Sequence, residues 1–103
     1  MASLAGARRR PISPGITLHR DDERGTFTLE LGGGASASAT FRKRGDVLAI
    51  THTEVPARLE GRGHGSALMK AILDDVRARG EKILPLCSFA RAYMRRRPED
   101  AAL

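Results

Sequence analysis

Several residue types are scarce in this sequence of 103 residues, and each scarcity excludes a class of protein. The single cysteine, Cys87, excludes an internal disulfide and a cysteine-based zinc site. The three histidines lack the H-x-x-x-H spacing of a helical metal pair, so we expect no bound metal. Aromatic residues make up only 4% of the chain, too few for the stacking platform of a single-strand nucleic-acid binder. We therefore do not expect nucleic acid to be the partner.

Long apolar runs are also absent from the sequence. No run approaches the roughly 18 residues of a membrane-spanning helix, so we expect no membrane partner. The first residues, MASLAGARRRPISPG, carry charge but no apolar stretch after it, which is unlike a secretory signal. The reducing cytoplasm is therefore the expected location.

Positive charge, by contrast, is plentiful. Eighteen lysines and arginines outnumber twelve acids, which gives a net charge of +6. A basic chain favours anionic partners such as phosphorylated ligands or acidic proteins, and charge alone does not choose among them. The length fits one domain with one core. We expect a flexible lead at residues 1–14, where small residues precede an arginine run, and a single domain over 15–103.

Hydrophobic periodicity predicts three strands in the first half of the domain. TFTLEL (26–31) and ASASATFR (35–42) alternate apolar with polar residues, the period of a half-buried strand. VLAITHTEV (47–55) is apolar on both faces at its start and is predicted to lie centrally in the sheet.

The second half of the domain predicts helix, strand and helix. An apolar stripe predicts a helix over 64–79, with charged residues such as Asp75 facing water. KILPL (82–86) follows this crossover helix, so it should lie parallel to the third strand. SFARAYMRRR (88–97) predicts a last helix that ends before Pro98. The predicted fold class is therefore α+β in the order β-β-β-α-β-α, an antiparallel meander whose last strand is parallel to the third.

Three glycines lie where the first helix must begin, in LEGRGHGSALM (59–69). A glycine-rich turn at a helix N-terminus lets a phosphate approach free N–H groups at the positive end of the helix dipole. The spacing matches neither the P-loop nor the dinucleotide fingerprint. The alternative is a tight turn that brings helix and sheet close together.

The same stretch resembles a known family. LEGRGHGSALMKAIL looks like the acyl-CoA-binding motif of the GNAT N-acetyltransferase superfamily, [QR]-x-x-G-x-[GA]. HTEVP before it and PLCSFARAYMRRRPE after it resemble the minimal, single-domain YjdJ-type branch, so the likeness spans roughly residues 26–100. The chain departs from the pattern at Glu60, which takes the Gln or Arg position when Gly63 and Gly65 are the G-x-G pair.

The resemblance implies a minimal GNAT-like domain that uses acetyl-CoA or CoA as cosubstrate and no metal. In that superfamily the strand before the loop splays from its parallel neighbour, here 47–55 from 82–87, and the pantetheine arm lies in the gap. The backbone of Val55 would then bind the pantetheine or polarise the thioester carbonyl. The implied phosphate-binding residues are Gly61, Arg62, Gly63, His64, Gly65 and Ser66.

Four side chains are candidates for the chemistry. The resemblance places a general base at Glu54, with His52 two residues earlier on the same strand face; the alternative is an ordinary polar strand end. Cys87, at a helix N-terminus where the dipole favours a thiolate, would attack the thioester or only line the acetyl pocket. Tyr93 looks like the tyrosine that reprotonates the departing CoA thiolate, or is a core residue of its helix.

The sequence and the resemblance together predict a small acetyl-CoA-dependent N-acetyltransferase. Its amine acceptor is not identified. The short architecture leaves an open acceptor side, which suits a large acceptor such as a protein amine, or a homodimer that completes the wall. The alternative is a CoA- or protein-binding module on the same fold with little or no catalysis.

Overall fold

The computed structural model describes residues 7–13, 16–32, 34–57 and 63–96. They form six strands and two helices around one sheet in the order β1-β2-β3-β4-β5-β6. The bounds in chain order are β1 (Ala7–Ser13), β2 (Ile16–Asp21), β3 (Thr26–Gly32), β4 (Ala35–Arg44), β5 (Val47–Glu54), α1 (His64–Ala78), β6 (Lys82–Pro85) and α2 (Ser88–Arg96).

The predicted α+β class and its topology are confirmed. β1 to β5 form an antiparallel meander, and β6 lies parallel to β5, the third predicted strand, with Val47 opposite Lys82. The predicted three strands, crossover helix, strand and last helix correspond to β3, β4, β5, α1, β6 and α2.

Two further strands precede the predicted ones, so the flexible lead at 1–14 is wrong for residues 7–13 and the strand count is too low by two. The remaining residues of that lead lie outside the described part of the chain. β1 contains an arginine run and a proline, which mark an edge strand but hide its pattern. In β2 only Leu18 is an apolar core residue, because the second inward position is Arg20, and a charged core residue breaks the alternation that reveals a strand.

Both helices pack on one face of the sheet, here called the helix face. α1 contacts β2, β3, β4 and β6, and α2 lies beside it over β5 and β6. The small side chains of Ala37 and Ala39 on β4 let α1 approach closely. The buried apolar stripe of α1 is the predicted one, and Leu68, Met69, Ile72, Leu73 and Val76 are all within 1% of complete burial.

The structure corrects one predicted face of α1. Asp75 is 2% exposed, because it meets the buried guanidinium of Arg20 across the core, with Arg20 Nη1 2.9 Å from Asp75 Oδ2. Glu81 and Asp22 complete the shell around Arg20, at 2.8 and 2.6 Å. Burial lowers the pKa of the Arg20 guanidinium, but its hydrogen bonds to Glu81, Asp22 and Asp75 outweigh the burial and hold that pKa above its usual value. We call these four residues the Arg20 cluster.

The opposite face of the sheet, here called the open face, is covered by no described element. Its side chains alternate with the core residues along each strand and are mostly hydroxyl-bearing or charged, for example Thr28, Ser38, Thr40 and Arg42. One solvated face is typical of an antiparallel sheet. At its edge, Leu84 on β6 and Leu86 just beyond it are 48% and 45% exposed.

Candidate functional site

A β-bulge in β5 sets the directions of the predicted catalytic side chains. Phe41 pairs with Ile50 but Thr40 pairs with His52, so Thr51 is an extra residue opposite β4. An extra residue moves every later side chain to the other face of the sheet. Without the bulge, His52 and Glu54 would follow Ile50 into the core, and with it they lie exposed on the open face.

Beyond the bulge, β5 separates from its parallel neighbour. The last paired residues are Ile50 and Pro85. The carbonyl oxygen of Ile50 then accepts hydrogen bonds from the N–H groups of Leu86 and Cys87, at 2.9 and 3.1 Å, and the chain turns into α2. Residues 51–54 of β5 therefore have no strand partner on the β6 side among the described residues. The resemblance implied that 47–55 splays from 82–87, whereas the structure keeps 47–50 paired with 82–85, so only the part of β5 beyond Ile50 is a place where an extended ligand arm would add as a strand.

The gap is bounded on the helix face by the start of α2. Cys87 precedes the first residue of α2, and its Sγ accepts the N–H of Ala90 at 3.4 Å, so the sulfur caps the helix. The same sulfur lies 4.0 Å from Thr53 Oγ1, on the unpaired part of β5. Cys87 and Thr53 thus face each other across the gap, on the opposite side of the sheet from Glu54.

The start of α1 lies at the other end of this region. Gly63 is the N-cap residue and has φ 81°, a left-handed conformation that favours glycine. It contributes no side-chain cap, and no described side chain caps the first turn, so the N–H groups of His64, Gly65 and Ser66 have no side-chain acceptor within the described part of the chain. Such a turn is suited to an anion.

A second glycine of the loop is explained by packing. A Cβ on Gly65 would lie 2.7 Å from Cζ of Phe89 in α2, closer than real Cβ contacts. The tight-turn alternative is therefore present in part, although it joins helix to helix rather than helix to sheet. Gly61 and Arg62, with Glu60, lie outside the described residues.

On the open face, a cleft of about 530 Å³ lies at the end of β5. Two serines of β4 line it beside the predicted bases, and one of them, Ser38, is the strand partner of Glu54. Its lining includes Ser36, Ser38, His52, Glu54, Val55 and Pro56. No lysine or arginine lines it among the described residues.

Comparison with known proteins agrees with this geometry. The model of the GCN5-related N-acetyl-transferase family matches residues 26–103, most of the chain. The chain belongs to this family. A GCN5-like protein of Staphylococcus aureus with an attributed N-acetyltransferase activity, solved by NMR, has a similar structure, with a TM-score of 0.60. It is 22% identical over 93% of this chain and 85% of its own, which shows a shared fold. No curated protein matches the chain.

The GCN5-related N-acetyltransferase family accounts for the order of the elements, and the narrower YjdJ-type branch stays a prediction. Within this fold, the structure brings together the end of β5, with His52, Glu54 and Val55, and the start of α2, with Cys87. Tyr93 does not join them at the surface, because it is 1% exposed in the core. Its role as an acid stays a prediction.

Sequence reasoning missed two residues of this region. In the sequence Thr53 is one residue of a polar strand end, and only the bulge turns its hydroxyl towards Cys87. Phe89 could not be singled out from the sequence, because one aromatic residue in an amphipathic helix is usually a core residue.

The described residues also lack two features. In the described ranges no three His, Cys, Asp or Glu side chains gather to hold a metal ion. Neither α1 nor α2 is long and apolar enough to cross a membrane.

Proposed function

We propose that this protein is an N-acetyltransferase that takes acetyl-CoA as its acyl donor and an amine as its acceptor. The observation that carries the proposal is the separation of β5 from β6 beyond Ile50, next to an uncapped helix N-terminus, in a chain of the GCN5-related N-acetyltransferase family. The pantetheine arm would bind along residues 51–55, with the backbone of Val55 as a hydrogen-bonding partner. The pyrophosphate would bind at Gly61–Ser66, with Arg62 as a side-chain ligand.

The acceptor would enter from the open face, where Glu54 and His52 lie in the cleft. Glu54 would remove a proton as the amine nitrogen attacks the thioester carbonyl carbon. The carbon–sulfur bond then breaks, the acetyl group stays on nitrogen, and the CoA thiolate takes a proton, for which Tyr93 is the proposed donor. His52 would share the work of the base or orient it.

A covalent route through Cys87 is the second route considered. Its Sγ would attack the same carbonyl carbon from the helix face, release CoA thiol and then pass the acetyl group to the amine. The capping bond from Ala90 and the position of Cys87 opposite Glu54 favour direct transfer, with Cys87 lining the gap. A thiol kept reduced is consistent with a cytoplasmic location.

The proposed acceptor is an amine without anionic groups, since the described lining of the cleft offers a carboxylate and hydroxyl groups and no lysine or arginine. The cleft opens on an uncovered sheet face, so a lysine side chain of another protein can reach it as readily as a small amine. A homodimer covering this face would exclude the protein acceptor.

The test is release of CoA thiol from acetyl-CoA in the presence of small primary amines and a lysine-containing peptide, compared with no acceptor. We expect amine-dependent release, and a loss of about 10²-fold in Glu54→Gln. Glu30→Gln is the matched control, because Glu30 is another exposed carboxylate of the open face, paired with His19 at 2.8 Å and outside the cleft. Equal loss in both variants would contradict the role of Glu54.

CoA binding without amine-dependent release from any acceptor would favour the binding module, the other function considered. One observation favours the binding module, since Tyr93 is buried and does not line the cleft. In that case Glu54→Gln should leave CoA affinity unchanged.

A further inference from the structure

The first turns of α1 and α2 contact each other through the backbone of Gly65 and the ring of Phe89. Phe89 is half-buried in the first turn of α2, and its ring occupies the space beside Gly65 that a Cβ would fill. Three ring atoms lie within 2.7 to 3.3 Å of that Cβ position, namely Cζ, Cε2 and Cε1. Gly65 has an ordinary helical conformation, so the backbone does not require a glycine there. The contact with the ring of Phe89 is what requires it.

The turn that carries Phe89 is fixed to the sheet. Leu86 and Cys87 donate their N–H groups to the carbonyl oxygen of Ile50, the last residue of β5 that pairs with β6. Arg91 Nε donates to the carbonyl oxygen of Pro85 at 3.3 Å, and the N–H of Ala90 is held by Cys87 Sγ. The position of the ring is therefore set by the point where the two strands separate.

We propose that Phe89 is a positioning residue, which fixes the distance between the two ends of the cofactor site. This proposal rests on the proposed function. One end is the first turn of α1, where the phosphates would bind, and the other is the gap between β5 and α2, where the thioester would lie. Phe89 links them without needing to contact CoA. A ligand held at both ends gains affinity from their fixed separation, and a shift of one end removes that gain.

The test compares whole CoA with its two halves. In Gly65→Ala, the new methyl group must push the first turn of α1 away from the ring. We expect the dissociation constant of CoA to rise on the order of 10-fold, since an ångström-scale displacement is enough for such losses. Pantetheine and adenosine 3′,5′-bisphosphate, each titrated alone by NMR, should bind within about 2-fold of their wild-type affinities, because neither spans the two ends.

A second variant makes the contact itself testable. Phe89→Leu shortens the side chain, so the double variant Gly65→Ala with Phe89→Leu should recover most of the lost CoA affinity. Phe27→Leu is the control for the loss of a buried aromatic ring, since Phe27 on β3 is fully buried against Phe41 on β4. It should lower the free energy of unfolding and leave CoA affinity unchanged.

Each result has a clear meaning. An equal loss for CoA and for both halves, or no rescue by Phe89→Leu, overturns the positioning role. Unchanged CoA affinity in Gly65→Ala also overturns it, while the wild-type protein still binds CoA and the proposed function stands. If the wild-type protein itself does not bind CoA, the proposed function fails and the inference fails with it.

Discussion

The roles of single residues at the end of β5 depend on which face of the sheet each one occupies. Glu54 and Cys87 lie on opposite faces, with the separated part of β5 between them. A base on the open face can take a proton from an amine that arrives there, whereas a thiol on the helix face would take part in the chemistry only by forming an acyl-enzyme. Direct transfer therefore predicts that Cys87 stays unmodified, whereas the covalent route predicts an acetylated Cys87.

We predict that Cys87 caps α2 and that no acetyl-enzyme accumulates. Intact-protein mass spectrometry after incubation with acetyl-CoA should show no adduct removed by Cys87→Ala. Cys87→Ser keeps an acceptor for the N–H of Ala90 and should retain stability and turnover. Cys87→Ala should lose about 1 kcal/mol of unfolding free energy, the usual effect of a lost helix cap. A single acetyl adduct that disappears in both variants, together with lost turnover, would establish the covalent route instead.

At the scale of single residues, only part of the candidate site could be predicted from the sequence. The polar residues 51–54 at a strand end, and the glycines before a helix, are visible as patterns, and they predict the region that the candidate site occupies. The faces are not visible, because the bulge at Thr51 has no sequence signature and reverses the alternation after Ile50. The facing of Thr53 and Cys87 follows from that bulge, so no pattern could have predicted it.

Among the elements, the start of α1 combines an unusual backbone conformation with the proposed phosphate site. Gly63 adopts φ 81°, and no atom of the described residues lies within 4 Å of its Cβ position, so an alanine there meets backbone strain but no clash with them. Gly63 lies directly before the N–H groups proposed to bind the pyrophosphate.

We predict that Gly63→Ala destabilises the fold by about 1 kcal/mol, the cost of a left-handed non-glycine residue, and also weakens CoA binding. Gly34→Ala is a matched control, because Gly34 has the same φ of 81° and equally open space, in the turn between β3 and β4. Urea unfolding should show similar losses in both variants, and calorimetric titration should show weaker CoA binding only in Gly63→Ala. Similar CoA affinities in the two variants would count against the α1 turn as the phosphate site.

The elements themselves were predictable where periodicity was clean. β3 and β4 alternate strictly, and the stripe of α1 is uninterrupted, so their positions were right within a few residues. β1 and β2 were missed because cations occupy positions that a half-buried strand normally fills with apolar residues. Arg20 is the clearest case, since it lies inside the core as a buried ion rather than on the surface.

At the scale of the whole molecule, the Arg20 cluster links β2 to α1 and to the residue that precedes β6. Arg20 on β2 reaches Asp75 near the end of α1 and Glu81 just before β6, and its guanidinium lies 5.5 Å from the centre of the Phe27 ring. The partners are 55 and 61 residues away along the chain. No local sequence pattern encodes such a contact, which is why Asp75 was assigned to the wrong face.

We predict that Arg20→Met destabilises the protein by about 3 kcal/mol, because it leaves the buried carboxylate of Asp75 with less compensation. Arg79 still contacts Asp75 at 3.1 Å and keeps the loss from being larger. Arg24→Met is the control, as Arg24 is exposed and its pair with Asp21 is 4.0 Å long, so its loss should stay below about 1 kcal/mol. Urea unfolding measures both, and equal small losses would show that the cluster does not stabilise the fold.

The most direct test of the central claim is a titration of the ¹⁵N-labelled protein with CoA, followed by amide chemical shifts. The claim is that CoA binds where β5 leaves β6 and α1 begins. It predicts saturable shifts concentrated at residues 51–55, 63–66 and 86–90, with Arg42 and Arg44 on the open face unchanged. Shifts confined to arginine-rich surfaces that vanish with added salt, or no shifts at millimolar CoA, would contradict it.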